Sequence, residues 1–260
     1  MGSPRTRSPS SSSHPLASSS AVLCSPNRKL KPKMDFYLGA GFSSRDLAKL
    51  ITSDAKILRS SLKKRIIPSF DFLKTLLRSN EEIITAIKYT PWLLHLDLQT
   101  NMAPNVAILR DLGVPEGRIS GLAKFNADVL ARKTEKFRRM TERVMEIGFR
   151  PGHHSFTVAV RCFSAISPAT WETKVTAFKR FGVPEDEILS AFKKQPLMMT
   201  ISEEKIKKSM GLFGLMSDKV INYQIFWLSE KKFLQRYVMR FQEQHPQVLE
   251  AYLSTTKKQL

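Results

Sequence analysis

Cysteine is nearly absent from this chain of 260 residues, which has only Cys24 and Cys162. Two thiols exclude a disulfide framework and a cysteine-rich zinc site. No apolar run approaches the roughly 20 residues that a membrane span requires. The phosphate-cradling glycine-rich loop and the His-Glu-x-x-His pair are missing. No nucleophile–base pair stands out, so an enzyme is not expected, and neither is a cofactor or a metal. His153 and His154 are adjacent, without a Cys or carboxylate at ligand spacing, and read as loop or helix-start residues. Acids are scarce: the net charge is +19, and residues 1–33 contain no Asp or Glu at all.

That first stretch supplies +6, from Arg5, Arg7, Arg28, Lys29, Lys31 and Lys33, which leaves +13 on the body. Such an excess favours a polyanionic partner, either nucleic acid or an anionic membrane surface. Residues 1–30 hold ten serines and little periodicity. This suits an organelle transit peptide as well as it suits a disordered tail without an address. With 42% apolar residues, the rest is rich enough to bury a large core.

What the sequence does have is a recurring phrase. Phe181-Gly182-Val183-Pro184-Glu185 echoes Leu112-Gly113-Val114-Pro115-Glu116, and more weakly Gly41-Phe42-Ser43-Ser44 and Gly148-Phe149-Arg150-Pro151. In each, a Gly ends one helix in the left-handed conformation, and an apolar residue followed by Pro or Ser opens the next. Leu58, Leu94, Leu130 and Ile166 stand 36 residues apart, with Met199 after another 33. Phe72, Ile108 and Val144 form a second ladder at 36, followed by Phe178 after 34. The period of about 35 predicts an all-α solenoid, right- or left-handed, of about five two-helix repeats. Residues 1–33 are expected to be a disordered Ser/Arg-rich segment, 34–228 the array, and 229–260 a capping helix and tail.

Within the array the first helices carry apolar stripes and acids in their first turns, with Asn80 expected to cap one of them. The second helices are basic on the side away from their stripes. Pro68 and Pro104, 36 residues apart, should bend the second helices of the first two repeats. The basic residues at candidate nucleic-acid-binding positions are Lys63, Lys64 and Arg65, then Arg132, Lys133, Lys136, Arg139 and Arg143, then Lys174, Lys179 and Arg180, and then Lys205 and Lys208. Lys232, Arg236 and Arg240 continue the set on the expected capping helix, opposite Phe233, Tyr237 and Phe241. Lys136, Arg139 and Arg143 share one helix face. Met198, Met199 and Met210 fall at core spacing.

The order Gly-apolar-Pro/Ser, then Pro-x-Leu/Met-Leu/Met, then a basic helix with Pro, resembles the mitochondrial transcription termination factor (mTERF) family in its land-plant branch. The phrases that carry it are Arg65-Ile66-Ile67-Pro68-Ser69-Phe70, Phe192-Lys193-Lys194-Gln195-Pro196-Leu197-Met198, Ser202-Glu203-Glu204-Lys205-Ile206 and Ser229-Glu230-Lys231-Lys232-Phe233-Leu234. The resemblance implies a superhelix that holds duplex DNA or RNA in a basic groove. It also implies a role in mitochondria or chloroplasts in transcription termination, transcript processing or splicing. Family members usually carry more repeats before Lys31 and before Ser229, so either a shortened member or an imperfect gene model is expected. We expect a monomer that binds nucleic acid without a membrane span; the alternative is a helical scaffold for an acidic protein partner.

Overall fold

The computed structural model describes residues 26–213, together with 232, 235 and 239. Every regular element among the described residues is helical. Helix α1 (Pro26–Gly39) leads into α2 (Ser44–Ser53), a 3-10 turn at Ala55–Leu58, a π turn at Leu62–Ile66, and α3 (Ile67–Lys74). The next unit is α4 (Asn80–Tyr89), a 3-10 turn at Pro91–His95, α5 (Leu98–Asn101) and α6 (Ala103–Asp111). The third is α7 (Glu116–Phe125), the single turn α8 (Ala127–Leu130) and α9 (Thr134–Glu146). The fourth has only α10 (His154–Ala165) and α11 (Pro168–Lys179), and the fifth α12 (Glu185–Lys194), a 3-10 turn at Pro196–Thr200, and α13 (Glu203–Phe213).

Four joints carry the expected glycine. Gly41, Gly113, Gly148 and Gly182 have φ of 100°, 78°, 101° and 78°, where a side chain would be strained. At each, the Gly N–H donates three residues back and the next N–H donates five back: Val114 N to Leu109 O at 2.9 Å, Phe149 N to Val144 O at 3.2 Å. This pairing satisfies the last carbonyls of the helix. The apolar residues that follow, Phe42, Val114, Phe149 and Val183, are buried. First helices stack on first helices (α4 on α7, α7 on α10), and second on second (α3 on α5, α6 on α9, α11 on α13). The stripes merge into one core, which includes Met198, Met199 and Met210.

Several expectations need correction. Residues 26–33, assigned to the disordered segment, are helical, because Tyr37 and Lys33 of α1 bury against the first repeat. The repeats are not plain helix pairs. A short turn stands between the helices of most, and the 36-residue ladder marks it: Leu58, Leu94, Leu130 and Met199 all lie in such turns. Ser79, not Asn80, caps α4; its hydroxyl accepts from Glu82 N at 3.3 Å. Cap geometry requires an extended residue, and Ser79 has φ −146° and ψ 162°. Lys174, Arg132 and the Ser60–His95–Asp54 cluster, which also depart from expectation, are described below. Pro68 and Pro104 do interrupt their second helices, each entering a fresh helical start after a π turn or a short helix. The expected capping helix over 229–241 lies outside the continuously described residues.

A column of buried polar side chains ties the repeats together. Lys33, Asn105 and Lys174 each stand eight residues before a joint glycine. Each donates to the carbonyl 25 residues on: Lys33 to Leu58, Asn105 to Leu130 at 2.7 Å, and Lys174 to Met199 at 2.6 Å. Asn105 also donates to Arg132 O at 2.6 Å, and Ser69 in α3 donates to Leu96 O at 3.3 Å. A second helix thus satisfies the carbonyls of the next repeat's short turn, which would otherwise be buried without partners. In α9 the same position holds Met140.

Candidate nucleic-acid interface

Helix α9 begins after Lys133 and buries Phe137, Met140, Thr141 and Val144. At 100° per residue, that stripe leaves Lys136, Arg139 and Arg143 together on the next face. The three side chains line one cleft of about 420 Å³, to which Glu172 adds a single carboxylate. Its floor is Met140, Phe163, Ile166 and Trp171. Phe163 and Trp171 stack with centroids 4.9 Å apart, and the Arg143 guanidinium sits 5.9 Å above the Phe163 ring. The cleft opens where the column of polar ties is interrupted, because Met140 offers no donor and no 3-10 turn precedes α11. Arg139 pairs with Glu135 at 3.5 Å, but both side chains are more than 70% exposed, so the pair holds it weakly.

Around this face the other basic residues part ways. Lys63, Lys64, Lys133 and Arg180 are exposed, as is Arg138 beside the triad. Arg65, also exposed, pairs with Asp97 at 3.0 Å. Arg132 is turned inward: its guanidinium donates to Ser164 Oγ at 3.0 Å and Ser164 O at 3.1 Å, closing the joint that α9 leaves without a polar tie. Lys179 holds Glu185 at 2.6 Å across Gly182, as Arg110 holds Glu116 across Gly113. Lys174 was expected outside the buried stripe and is instead 5% exposed. Its place in the repeat is an interior one, and burial holds its ammonium below the usual lysine range. Lys205 is half-buried and Lys232 exposed. The side chain of Lys208, and Arg236 and Arg240, lie outside the description.

One constellation went unread in the sequence. Ser60 Oγ lies 2.8 Å from His95 Nδ1, and His95 Nε2 lies 2.5 Å from Asp54 Oδ2. This is the order of a nucleophile, base and orienting acid, against the expectation that no such pair exists. Its residues flank or lie in neighbouring short turns, and Ser60 N–H is already bonded to Lys56 O and Ile57 O. The arrangement clasps two repeats and leaves no backbone donor at Ser60 for an oxyanion. Cys162 is buried, and burial pushes its thiol up to about 12, which makes it inert. No metal-holding cluster of His, Cys, Asp and Glu occurs among the described residues, nor a helix long and apolar enough to cross a membrane.

The family model described as mTERF matches residues 20–221, and the chain belongs to the mTERF family. A search for similar curated proteins finds no match. Family membership agrees with the all-helical repeat array and suggests an organellar, nucleic-acid-binding role in gene regulation.

Proposed function

We propose that the chain binds duplex nucleic acid through the second-helix face centred on α9, and regulates organellar gene expression at the level of transcription termination or transcript processing. The observation that carries this reading is the convergence of Lys136, Arg139 and Arg143 on one cleft with an apolar floor. The floor fixes the stems of the three side chains, so their charged ends meet phosphates with less entropy to lose. Such contacts position a duplex without reading its sequence. Lys133 and Arg138 extend the same field. The net charge of +19 supports fast, salt-sensitive association. Mitochondrion or chloroplast is the proposed site of action, with the Ser-rich first 30 residues as its import signal.

The test is the salt dependence of binding. Replacing Lys136, Arg139 and Arg143 together with Gln removes about three phosphate contacts. The log–log salt slope should become shallower by about 2.7 on duplex DNA, or about 2.1 on a single strand. Weakening should be similar across sequences. A folded triple variant with the parent's affinity and slope on duplex DNA and RNA would exclude this face.

A further inference from the structure

A second cleft, of about 540 Å³, opens in the first-helix layer between α7 and α10, at the end of α4. Helix α10 separates it from the α9 cleft, giving His154, Thr157 and Arg161 to this one and Phe163 and Ile166 to the other. The cleft is a departure from the repeat. At the two preceding joints a lysine late in one first helix pairs with an acid early in the previous one: Lys88 with Asp46 at 2.7 Å, and Lys124 with Glu82 at 3.1 Å. Thirty-six residues further on, the corresponding positions hold Arg118 and Val160, with Arg161 alongside. No acidic side chain lines the cleft among the described residues.

The floor is unusual as well. Gly117 and Gly121 lie one turn apart inside α7, where each glycine costs roughly 1 kcal/mol relative to alanine. Neither has a positive φ, and a Cβ added to either would meet nothing within 4 Å. Neither turn geometry nor packing therefore requires them. What they leave is bare backbone that another chain can approach closely. At the rim Tyr89 and Phe125 meet edge to face at 5.4 Å, and remain 65% and 46% exposed. Tyrosine and arginine around a depression are the side chains that anchor protein partners.

We propose that this cleft docks a short acidic peptide segment of a protein partner, with carboxylates against Arg118 and Arg161 and an apolar side chain against the Tyr89–Phe125 pair. Charge selects a short peptide over a nucleic acid strand. The first turns of the neighbouring first helices bear Glu81, Glu82 and Glu116 on one side, and Glu185, Asp186 and Glu187 on the other. Only α10 has no acid there among these helices. Glu82, Glu116 and Glu185 are paired with Lys124, Arg110 and Lys179, so a polyanion tracking along this face meets repulsion from Glu81 on one flank and Asp186 on the other; a segment confined to one joint avoids both.

The test uses the full chain and a fluorescein-labelled decapeptide alternating glutamate and leucine. Controls are the same peptide with glutamine for glutamate and a six-nucleotide oligothymidylate, whose five phosphates match the five carboxylates. Anisotropy should show the acidic peptide binding at least about tenfold more tightly than its glutamine version, since buried charge pairs dominate such contacts. Arg118→Gln with Arg161→Gln should lower its affinity by about tenfold or more. Gly121→Leu should do the same by filling the cleft, with helicity by circular dichroism unchanged or raised. The α9 triple Gln variant should leave peptide binding intact, which separates this proposal from the nucleic-acid reading. Failure of the acidic peptide to bind, or binding indifferent to Gly121→Leu, would overturn the proposal. Oligothymidylate binding that both cleft variants abolish would overturn it in favour of nucleic acid.

Discussion

Helices α9 and α11 occupy the same place in successive repeats, and both are basic, yet their cations have opposite fates. Eight residues before its joint glycine, α11 carries Lys174, which is buried and donates to Met199 O. At that place α9 carries Met140, which forms part of the floor of a cleft lined by three basic side chains and one acid, Glu172. Lys179 of α11 is neutralised by Glu185, whereas Lys136 and Arg143 of α9 make no ion pair among the described residues. Similar local charge density thus yields a structural tie in one helix and a binding face in the next. What decides is the residue eight before the joint together with the next repeat: Lys174 meets the Met199 carbonyl in a 3-10 turn, whereas Met140 offers no donor and no such turn precedes α11.

The most severe way to break the comparison is to remove the core that both helices share. Phe137→Ala in α9 should cost about 3–5 kcal/mol in urea denaturation, because Phe137 is fully buried and its neighbours relax only partly. A loss below about 1 kcal/mol would show that α9 does not hold its face in place. Lys174→Ala sharpens the contrast. It should destabilise by about 1–3 kcal/mol, since Met199 O loses its donor, while affinity for duplex DNA stays unchanged. A Lys174→Ala protein of full stability and weakened DNA binding would return Lys174 to the interface. Gly182→Ala, at φ 78°, should cost about 1–2 kcal/mol at the α11 joint in the same assay. Gly121→Ala in α7 should instead stabilise by roughly 0.5–1 kcal/mol.

The smallest effect is electrostatic. Glu82 and Glu116 are held below the usual carboxylate range, Glu82 by the Arg78 backbone N–H and then Lys124, Glu116 by Arg110. A carboxyl whose folded pKa is depressed contributes stability above its unfolded pKa and loses it as pH falls through the folded value. Melting temperature should therefore decline below about pH 4.3, and Glu82→Gln should make that decline shallower. An unchanged acid profile in Glu82→Gln would show that the Glu82–Lys124 pair adds nothing to the first-helix layer.

Much of the array was legible because it is written in backbone chemistry. Left-handed positions select glycine, so Gly113 and Gly182 announced their joints, and the ladder through Leu94 and Leu130 gave the period. The Lys136, Arg139 and Arg143 face was legible too, since helical spacing alone places three residues on one side. The short turns were not. Pro91–His95 and Pro196–Thr200 are too brief for any periodicity to show. Lys174 was misread because a lysine in a helix is assigned to solvent unless its partner is known, and the partner carbonyl is 25 residues away. The glycine frame would have exposed it: counted back from the joints, Lys33, Asn105 and Lys174 align. Arg132 gave no such signal, because its acceptor Ser164 belongs to a different helix and depends on how the joint closes.

The polar ties also define where this chain can be cut and rejoined. Glycine-to-glycine boundaries suggest one unit of duplication or deletion, but each tie starts before the glycine of its own repeat and ends in the short turn of the next. An excision from Gly113 to Gly148 would keep Asn105 while discarding the Leu130 carbonyl it serves. An excision that starts just after Leu130 and ends with Ile166, the next rung of the 36-residue ladder, keeps Asn105 and Leu130 together and removes one whole period. Arrays of this kind should therefore gain and lose repeats with turn-to-turn borders, out of phase with the glycine joints that are easiest to see.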